Sequence, residues 1–255
     1  QTHVTQPAVF IHSVIAAAVQ TIDTPDMVAG HSLGEYSALV VCGALDFSSA
    51  LRLVSKRAEA MQSACDAQES TMAAVLGIDD ETIEDVCDGV KDEVVVAANF
   101  NCPGQVVISG TVAGVDRACE LLRQRGAKRA IRLPVSGAFH TPFMMLAVSI
   151  LEKTLSSMEL SQPKMTLFAN ETGLPYDGLE EHTKEHLTHQ VTSPVRWQRI
   201  LEEFWNRGID TFVEVGPGHT LAGFVKKTLP EASAYSVHDI PSFEETLKEL
   251  QGESL

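Results

Sequence analysis

The sequence predicts an α/β fold with two parts: a large domain built on a parallel sheet, and a small domain inserted into it. Three observations support this prediction. Strand-like and helix-like segments alternate along most of the chain, which is typical of a parallel sheet covered by helices. The middle of the chain follows a β-α-β-β-α-β order of its own. A serine between two glycines stands at a predicted strand-to-helix turn.

The first part of the large domain is assigned to residues 1–66. Its opening segment has the apolar spacing of a buried amphipathic helix, and a short strand with a tight turn follows. Two helices come next, and the second is rich in strong helix formers. In chain order the segments are QPAVFIHSVIAAAVQ, DMVAGHS, LGEYSALVVCGAL and FSSALRLVSKRAEAMQSAC.

The small domain is assigned to residues 67–136. Its first helix opens with acidic residues, which suit the positive N-terminal end of a helix dipole, and its second helix ends at Gly126. A turn over residues 101–104 separates two of its strands. The resulting β-α-β-β-α-β order is the ferredoxin-like pattern. The segments are TMAAVLGI, DDETIEDVCDGV, EVVVAANF, PGQVVISG, TVAGVDRACELLRQRG and AKRAIRLPV.

The second part of the large domain is assigned to residues 137–255. We expect a helix over 142–158, a strand, a helix ending near His189, and then a helix, a strand and a last helix. The segments with clear patterns are KMTLFAN, RWQRILEEFWNRG, TFVEVG and HTLAGFVKKTL. The chain ends soon after that last helix, which favours a free-standing protein.

Composition argues against several classes of function. A net charge of −15 over 255 residues argues against nucleic-acid binding. The sequence contains no run of 18 apolar residues, so it predicts no membrane-spanning helix. The five cysteines form no CxxC pair, which favours reduced thiols in a reducing compartment over a zinc site. His182, His186 and His189 share a helix face, which we interpret as a surface rather than a metal site. We expect a cytoplasmic protein with no membrane and no metal.

A nucleophile is indicated by GHSLG at residues 30–34, which follows a predicted strand and opens a helix. In such an elbow a sharp turn between small residues presents the oxygen of Ser32 above the sheet. The N–H of Leu33 then faces the developing oxyanion. A serine hydroxyl needs a base. His140 is the candidate, because it lies where the chain returns from the small domain to the large one. The elbow also makes the large domain α/β-hydrolase-like.

Seven segments carry a resemblance to a known family. They are TQPAVFIHSV, GHSLGEYSALV, RLVSKRAEAMQ, NFNCPGQVVISG, GAKRAIRLPVSGAFHTPFM, SPVRW and EVGPG. These segments occur in the same order in the malonyl-CoA:acyl carrier protein transacylases, and the chain resembles this family over nearly its whole length. Those enzymes share their fold with the acyltransferase domains of fatty acid and polyketide synthases.

The resemblance implies a role for each matching residue. Ser32 matches the nucleophile and His140 the general base, in a Ser–His pair without a carboxylate. Gln190 matches the residue whose backbone carbonyl holds the second nitrogen of the histidine. Arg57 matches the arginine that binds the free carboxylate of the substrate, and a planar guanidinium suits a carboxylate because it forms two parallel hydrogen bonds.

The resemblance also implies substrate-binding residues around this pair. Phe139 matches a ring that accompanies malonyl and excludes a methyl branch, although core packing is an alternative role. His31 and Asn101 match positions at the substrate cleft, and for Asn101 turn hydrogen bonding is the alternative.

The implied reaction is a ping-pong transfer of malonyl from a coenzyme A thioester to the phosphopantetheine thiol of acyl carrier protein, for fatty acid synthesis. It implies no cofactor, and we expect a monomer. Acyl carrier proteins are acidic, so the basic stretch RQRGAKRAIR is the predicted docking patch, centred on Lys128 and Arg129. A solvated helix end is the alternative interpretation of that stretch.

One motif of the family is not found in this sequence. Family members begin with a strand and a GQGSQ motif, whose glutamine N–H is the second oxyanion donor. We expect the sequence to be part of a longer polypeptide that includes this motif. If the N-terminal segment with the motif also carried a targeting peptide, the location would be organellar.

Other functions were weighed against malonyl transfer. One is a non-catalytic carrier-protein binding module, and another is an α/β-hydrolase-type thioesterase, which needs an acidic residue between Ser32 and His140. A third keeps the chemistry but places it in polyketide synthesis.

Overall fold

The computed structural model describes residues 2–19, 24–135 and 137–251. Helices and strands alternate along these residues. The sheets include both parallel and antiparallel strand pairs. The predicted α/β class is therefore confirmed.

The predicted helices and the short strand open the chain. Their bounds are α1 (Thr2–Ala18), β1 (Met27–Val28), α2 (Gly34–Val41) and α3 (Phe47–Ala67). Helix α3 begins after Asp46, whose carboxylate accepts a hydrogen bond from Ser49 N–H and so satisfies one free donor of the first turn. Its buried face packs against α1. Both helices contribute residues to the site described below, Gln6 from α1 and Arg57 from α3.

The middle of the chain forms a separate four-stranded antiparallel sheet with two helices. Its elements are β2 (Ser70–Leu76), α4 (Asp80–Gly89), β3 (Val95–Cys102), β4 (Gln105–Thr111), α5 (Val112–Gln124) and β5 (Arg129–Arg132). The strand order is β3-β4-β2-β5. Asp79 and Thr111 cap the two helices by accepting hydrogen bonds from backbone N–H groups three residues on. A core of its own lies between the sheet and the helices, and includes Val75, Ile83, Ile108 and Leu122.

The remaining chain continues the alternation of helices and strands. A 3₁₀ turn, Pro142–Met144, precedes α6 (Met145–Ser156), β6 (Thr166–Leu167), α7 (Glu180–His189), α8 (Trp197–Asn206), β7 (Thr211–Val215), α9 (Thr220–Thr228), β8 (Ser233–Val237) and α10 (Ile240–Gln251). The sequence pattern did not predict β8 and α10, which follow the helix that it placed last. Strand β6 is shorter than its predicted segment: Phe168 N–H still donates to Val28 O of β1, but beyond it the chain pairs with residues 174 and 175 instead of with β1.

Two parallel strand pairs lie outside the antiparallel sheet, β1 with β6 and β7 with β8. Parallel neighbours end at the same edge of a sheet. The segments that follow β1 and β6 therefore leave the sheet side by side. This pairing brings the residues after Val28 next to those after Leu167, although the two stretches are far apart in sequence.

Main-chain hydrogen bonds connect the antiparallel sheet to the segment before α8. Phe100 N–H donates to Val195 O at 2.9 Å, and Val195 N–H donates to Ala98 O at 2.8 Å. Asn101 lies inside β3 and not in the turn predicted over residues 101–104, because the β3–β4 ladder continues to Cys102. The anchored end of β3 thus carries Asn101 toward the large part of the chain.

Within the described ranges, no helix combines the length and the apolar character needed to cross a membrane.

Candidate active site

The predicted nucleophile Ser32 stands in the turn between β1 and α2 with a φ of 51°. Non-glycine residues seldom adopt this left-handed conformation, so the surrounding structure must hold it in place. Gly30 explains part of the turn, since an added Cβ would lie 1.9 Å from the backbone carbon of Gly34. At Gly34 itself an added Cβ would meet no described atom within 4 Å. The close approach of the backbone therefore requires a glycine at position 30 and not at position 34.

The predicted base His140 contacts the serine hydroxyl directly. Its Nε2 lies 2.9 Å from Ser32 Oγ. Its Nδ1 lies 3.0 Å from the backbone carbonyls of both Gln190 and Ser193. A carbonyl oxygen only accepts, so Nδ1 carries the proton and Nε2 is left with its lone pair toward the hydroxyl. This tautomer can accept a proton from Ser32.

Electrostatics keep this imidazole neutral. Burial, reinforced by the nearby Arg57 cation, lowers the pKa of His140 to about 3. At neutral pH the ring is therefore uncharged and free to act as a base. His140 also has a positive φ, of 60°, and is almost fully buried. The two residues that meet at the hydroxyl are thus both held in an unusual backbone conformation.

Arg57 projects from α3 toward the hydroxyl of Ser32 and is 1% exposed. Its Nη2 donates to Ser32 Oγ and to Gln190 Oε1, both at 3.0 Å, and its Nη1 donates to Gln6 Oε1 at 2.6 Å. All three acceptors are uncharged, and within the described chain no carboxylate bonds directly to this guanidinium. A buried cation without a bonded anion is costly, so the site favours an anionic ligand next to the guanidinium.

Leu33 occupies the N-terminal end of α2, one residue after the nucleophile. In the described part of the chain its backbone N–H has no hydrogen-bond acceptor. The N–H of Ser32, in contrast, donates to Asn170 Oδ1 at 2.6 Å. Leu33 therefore offers a free donor, helped by the positive end of the helix dipole.

His31 and Asn101 lie together at the edge of the site. Their side chains form a hydrogen bond of 2.9 Å between His31 Nε2 and Asn101 Oδ1. Burial lowers the pKa of His31, and its ring packs 5.7 Å from the Trp197 ring. Both residues line the same cleft as Ser32, a cavity of about 1650 Å³.

Phe139 is half-buried beside His140 and also lines this cleft. Its ring packs against core residues of both the large part and the antiparallel sheet. Its carbonyl accepts a hydrogen bond of 2.8 Å from Ser109 Oγ on β4. Both of its expected roles, filling the pocket and packing the core, are compatible with this position.

Lys128 and Arg129 are exposed at the start of β5 and lie outside the cleft. Arg129 is in the antiparallel sheet, Lys128 directly precedes it, and neither contacts the pair at Ser32. If they act, they act on a partner at the surface.

Comparison with known proteins supplies the family. A family model described as acyl transferase domain matches residues 1–249. The chain belongs to the acyl transferase family. It is 41% identical to the malonyl CoA-acyl carrier protein transacylase of Bacillus subtilis, over 99% of this chain and 81% of that protein.

Solved structures give the same result for this acyl transferase. The crystal structure of MCAT from Streptococcus pneumoniae superposes with a TM-score of 0.93 at 42% identity, over 98% of this chain and 82% of that one. A malonyl-transacylase in complex with a type II polyketide synthase acyl-carrier protein superposes with a TM-score of 0.93 at 36% identity. That match covers 97% of this chain and 81% of the other.

Sequence reasoning missed three polar residues beneath the site of the acyl transferase. Glu35, Asn170 and Tyr176 bond to one another or to Gln190, and through it to the nucleophile. A signal existed for Asn170, since polar residues that directly follow a parallel strand collect at the functional edge of the sheet. For Glu35 the signal was weaker: an acidic residue in the first helical turn is normally explained by the dipole.

Two of the three histidines on α7 contact nearby carboxylates. His182 Nδ1 lies 2.5 Å from Asp177 Oδ2, and His186 Nδ1 lies 2.8 Å from Glu171 Oε2. Across the described stretches, no group of three or more histidine, cysteine or acidic side chains could hold a metal ion. Local contacts with carboxylates therefore account for the positions of both side chains.

Proposed function

We propose that this acyl transferase moves a malonyl group from malonyl-CoA to the phosphopantetheine thiol of acyl carrier protein, for fatty acid synthesis. The main support for this proposal is that His140 and Arg57 both contact Ser32 Oγ. Nε2 of His140 lies 2.9 Å from that oxygen and Nη2 of Arg57 lies 3.0 Å from it. A nucleophile, its base and a cation for a carboxylate thus meet at one atom.

In the first half-reaction His140 Nε2 takes the proton of Ser32 while Oγ attacks the thioester carbonyl carbon. The N–H of Leu33 donates to the oxyanion. The carbon–sulfur bond then breaks, and coenzyme A leaves as a thiol with the proton from His140. The product is a malonyl ester on Ser32.

In the second half-reaction the carrier-protein thiol gives its proton to His140. The sulfur attacks the ester carbonyl, the bond to Ser32 Oγ breaks, and Oγ recovers the proton. The carbonyls of Gln190 and Ser193 hold the imidazole in the required tautomer through both steps. The chemistry, as written, uses only side chains and main-chain groups of the protein.

Arg57 is proposed to select malonyl by pairing with its free carboxylate. The guanidinium has a buried Nε without a hydrogen-bond partner in addition to its contacts with Ser32 and Gln190. An uncharged acyl group would leave this cation without a bonded anion, which disfavours such a substrate. Phe139, His31 and Asn101 are proposed to shape the surrounding substrate pocket.

We also propose acyl carrier protein as the partner and Lys128 with Arg129 as its docking patch. A malonyl-transacylase of similar fold binds an acyl-carrier protein, and the two basic residues are exposed on a protein of net charge −15. The site draws all its proposed residues from a single chain, which is compatible with a monomer. All five cysteines are free, which supports a reducing, cytoplasmic location.

The domain division is proposed at residues 1–66, 67–136 and 137–255. The separate core and the strand order β3-β4-β2-β5 support a ferredoxin-like middle domain. The elbow at Ser32 and the parallel strand pairs support an α/β-hydrolase-like outer domain. The thioesterase alternative is not favoured, because Nδ1 of His140 faces carbonyls and not a carboxylate.

The proposal is tested by adding the protein and malonyl-CoA to phosphopantetheinylated acyl carrier protein and measuring the carrier's mass. We expect a malonyl adduct on the carrier that requires the protein and is lost with Ser32→Ala. Transfer by the wild type and by Ser32→Ala at equal rates would refute the proposal. Binding of the carrier without any transfer would favour the binding-module alternative.

A further inference from the structure

A buried carboxylate lies directly beneath the nucleophile and has no role in the reaction as described. Glu35 is in the first turn of α2, three residues after Ser32, and is 1% exposed. Its oxygens accept hydrogen bonds from Gln190 Nε2 at 2.5 Å, from Asn170 N–H at 3.3 Å, and from the hydroxyl of Tyr176. An ionisable group is rarely retained in such a place unless its bonds serve a purpose.

All these partners are uncharged, so the carboxylate has no bonded cation. Burial raises the pKa of Glu35 to about 7, although its hydrogen bonds and the Arg57 charge act in the opposite direction. Every partner donates to the carboxylate, and it therefore dictates which way each donor points. This matters most for Gln190, because an amide could otherwise be turned end for end.

Gln190 contacts four residues of the site. Its Nε2 donates to Glu35 and, at 2.9 Å, to the backbone carbonyl of Ser32. Its Oε1 accepts from Arg57 Nη2, and its backbone carbonyl accepts from His140 Nδ1. If the amide were reversed, its oxygen would face the carboxylate and its NH₂ group would face the guanidinium. Both contacts would be repulsive, so Glu35 and Arg57 together permit one orientation.

A second arm leads from Glu35 to the turn of the nucleophile. The backbone N–H of Asn170 donates to Glu35, while its side chain accepts from Ser32 N–H at 2.6 Å and donates to Gly30 O at 2.7 Å. These two bonds hold the main chain around the strained Ser32. The carboxylate therefore supports the nucleophile through Asn170 and supports Arg57 through the side chain of Gln190.

We propose that Glu35 is a positioning residue that orients the Gln190 amide and thereby aligns Arg57 on the hydroxyl of Ser32. This inference rests on the proposed malonyl transfer. It gives Gln190 a role for its side chain besides that of its carbonyl. A reaction geometry misplaced by about 1 Å can cost on the order of 100-fold in rate, so an indirect contact of this kind has a measurable effect.

The test is a double-mutant cycle on the rate of Ser32 acylation. Single variants Glu35→Gln and Gln190→Ala are compared with the double variant, using malonyl-CoA and acetyl-CoA as substrates. Glu35→Gln keeps the volume of the side chain but replaces one accepting oxygen with a donor. We expect it to lower malonyl acylation by about 10-fold or more and acetyl acylation by less, since only malonyl uses Arg57.

In the Gln190→Ala background the same change should alter the malonyl-to-acetyl ratio by less than about threefold, because the residue through which Glu35 reaches Arg57 is gone. Effects on that ratio that multiply in the double variant, or equal losses with both substrates in Glu35→Gln alone, would overturn the inference. Glu120→Gln, at an exposed site on α5, is the matched control. If the wild type itself gained no malonyl adduct, the proposed function would fail and not this inference alone.

Tyr176→Phe covers the case in which Glu35→Gln does not fold. It removes one donor to Glu35 and leaves Gln190 untouched. We expect a smaller loss in the same direction, with malonyl again affected more than acetyl. A loss that is equal for the two substrates would count against the inference.

Discussion

The interior of the antiparallel sheet and the interior beneath Ser32 are equally buried but are built from opposite kinds of residue. Between the sheet and its helices the buried side chains are apolar, as at Ile83 and Leu122. Beneath Ser32 they include Glu35, Arg57 and Gln190. Burying apolar surface stabilises a fold, whereas burying charge opposes it unless partners compensate. We infer that one region supplies stability and that the other uses part of it to hold reactive groups in place.

The largest expected effect concerns the polar region beneath Ser32 and the preference of the enzyme for malonyl-CoA over acetyl-CoA. Arg57→Ala should lower the preference for malonyl-CoA over acetyl-CoA by about a thousandfold, because the buried cation that pairs with the carboxylate is lost. The measurement is kcat/KM for both thioesters. Arg52→Ala, at an exposed position on the same helix, should leave the preference unchanged. An unchanged preference in Arg57→Ala would show that the carboxylate binds elsewhere.

The next effect is on stability and belongs to the other region. Leu122→Ala removes a fully buried side chain from the core of the antiparallel sheet. We expect the free energy of unfolding to fall by about 3 kcal/mol, as is typical of such cavities. The acylation rate per folded molecule should stay within about twofold of wild type, since no functional side chain moves. A large loss of rate in the folded variant would contradict the division of roles.

A pH dependence of stability distinguishes the polar interior from the apolar one. The pKa of Glu35 is raised to about 7 in the folded state, from an ordinary value of 4.5. Its contribution to stability is therefore present below pH 4.5 and is lost as the pH rises toward 7.

Glu35→Gln does not titrate at this position. Relative to that variant, the wild type should lose at most about 3 kcal/mol of unfolding free energy between these pH values. Denaturant unfolding at pH 4.5 and pH 7 measures the difference. A gap that does not change with pH would show that Glu35 titrates normally. Leu122→Ala should show no such change in its gap to wild type.

The smallest effect concerns the surface of the antiparallel sheet. Reversing the charge of Lys128 and Arg129 to glutamate should raise KM for acyl carrier protein several-fold, or by about 1 kcal/mol, and leave KM for malonyl-CoA unchanged. The increase should shrink at high salt, because exposed charges are screened. Equal changes in both KM values would remove these residues as a docking patch.

The predictability of the fold from sequence followed the strength of the apolar pattern. Strands β2 and β4 have continuous apolar runs that are buried on both faces, and their segments were predicted. Strand β8 reads SAYSV, which has no continuous apolar run, and its pairing with β7 holds it more than its own composition does. In α10 the apolar residues Ile240, Phe243 and Leu247 recur at helical spacing, so a signal was present there and the prediction missed it.

The site was predictable only where a local motif or a family pattern existed. The elbow at Ser32 is local, but His140 lies 108 residues further along, and the resemblance, more than the spacing, singled it out. Glu35, Asn170 and Tyr176 meet through contacts between residues 135 to 141 positions apart. Such a network depends on β1 lying beside β6, which no periodicity in either short strand reveals.

The most direct test is intact-protein mass spectrometry of the chain after brief exposure to malonyl-CoA, with Ser32→Ala beside it. The account predicts one malonyl adduct on the wild type, none on the variant, and loss of the adduct when phosphopantetheinylated acyl carrier protein is added. A wild-type protein that gains no adduct, or an adduct that persists in Ser32→Ala, would contradict the central claim that Ser32 carries the acyl group.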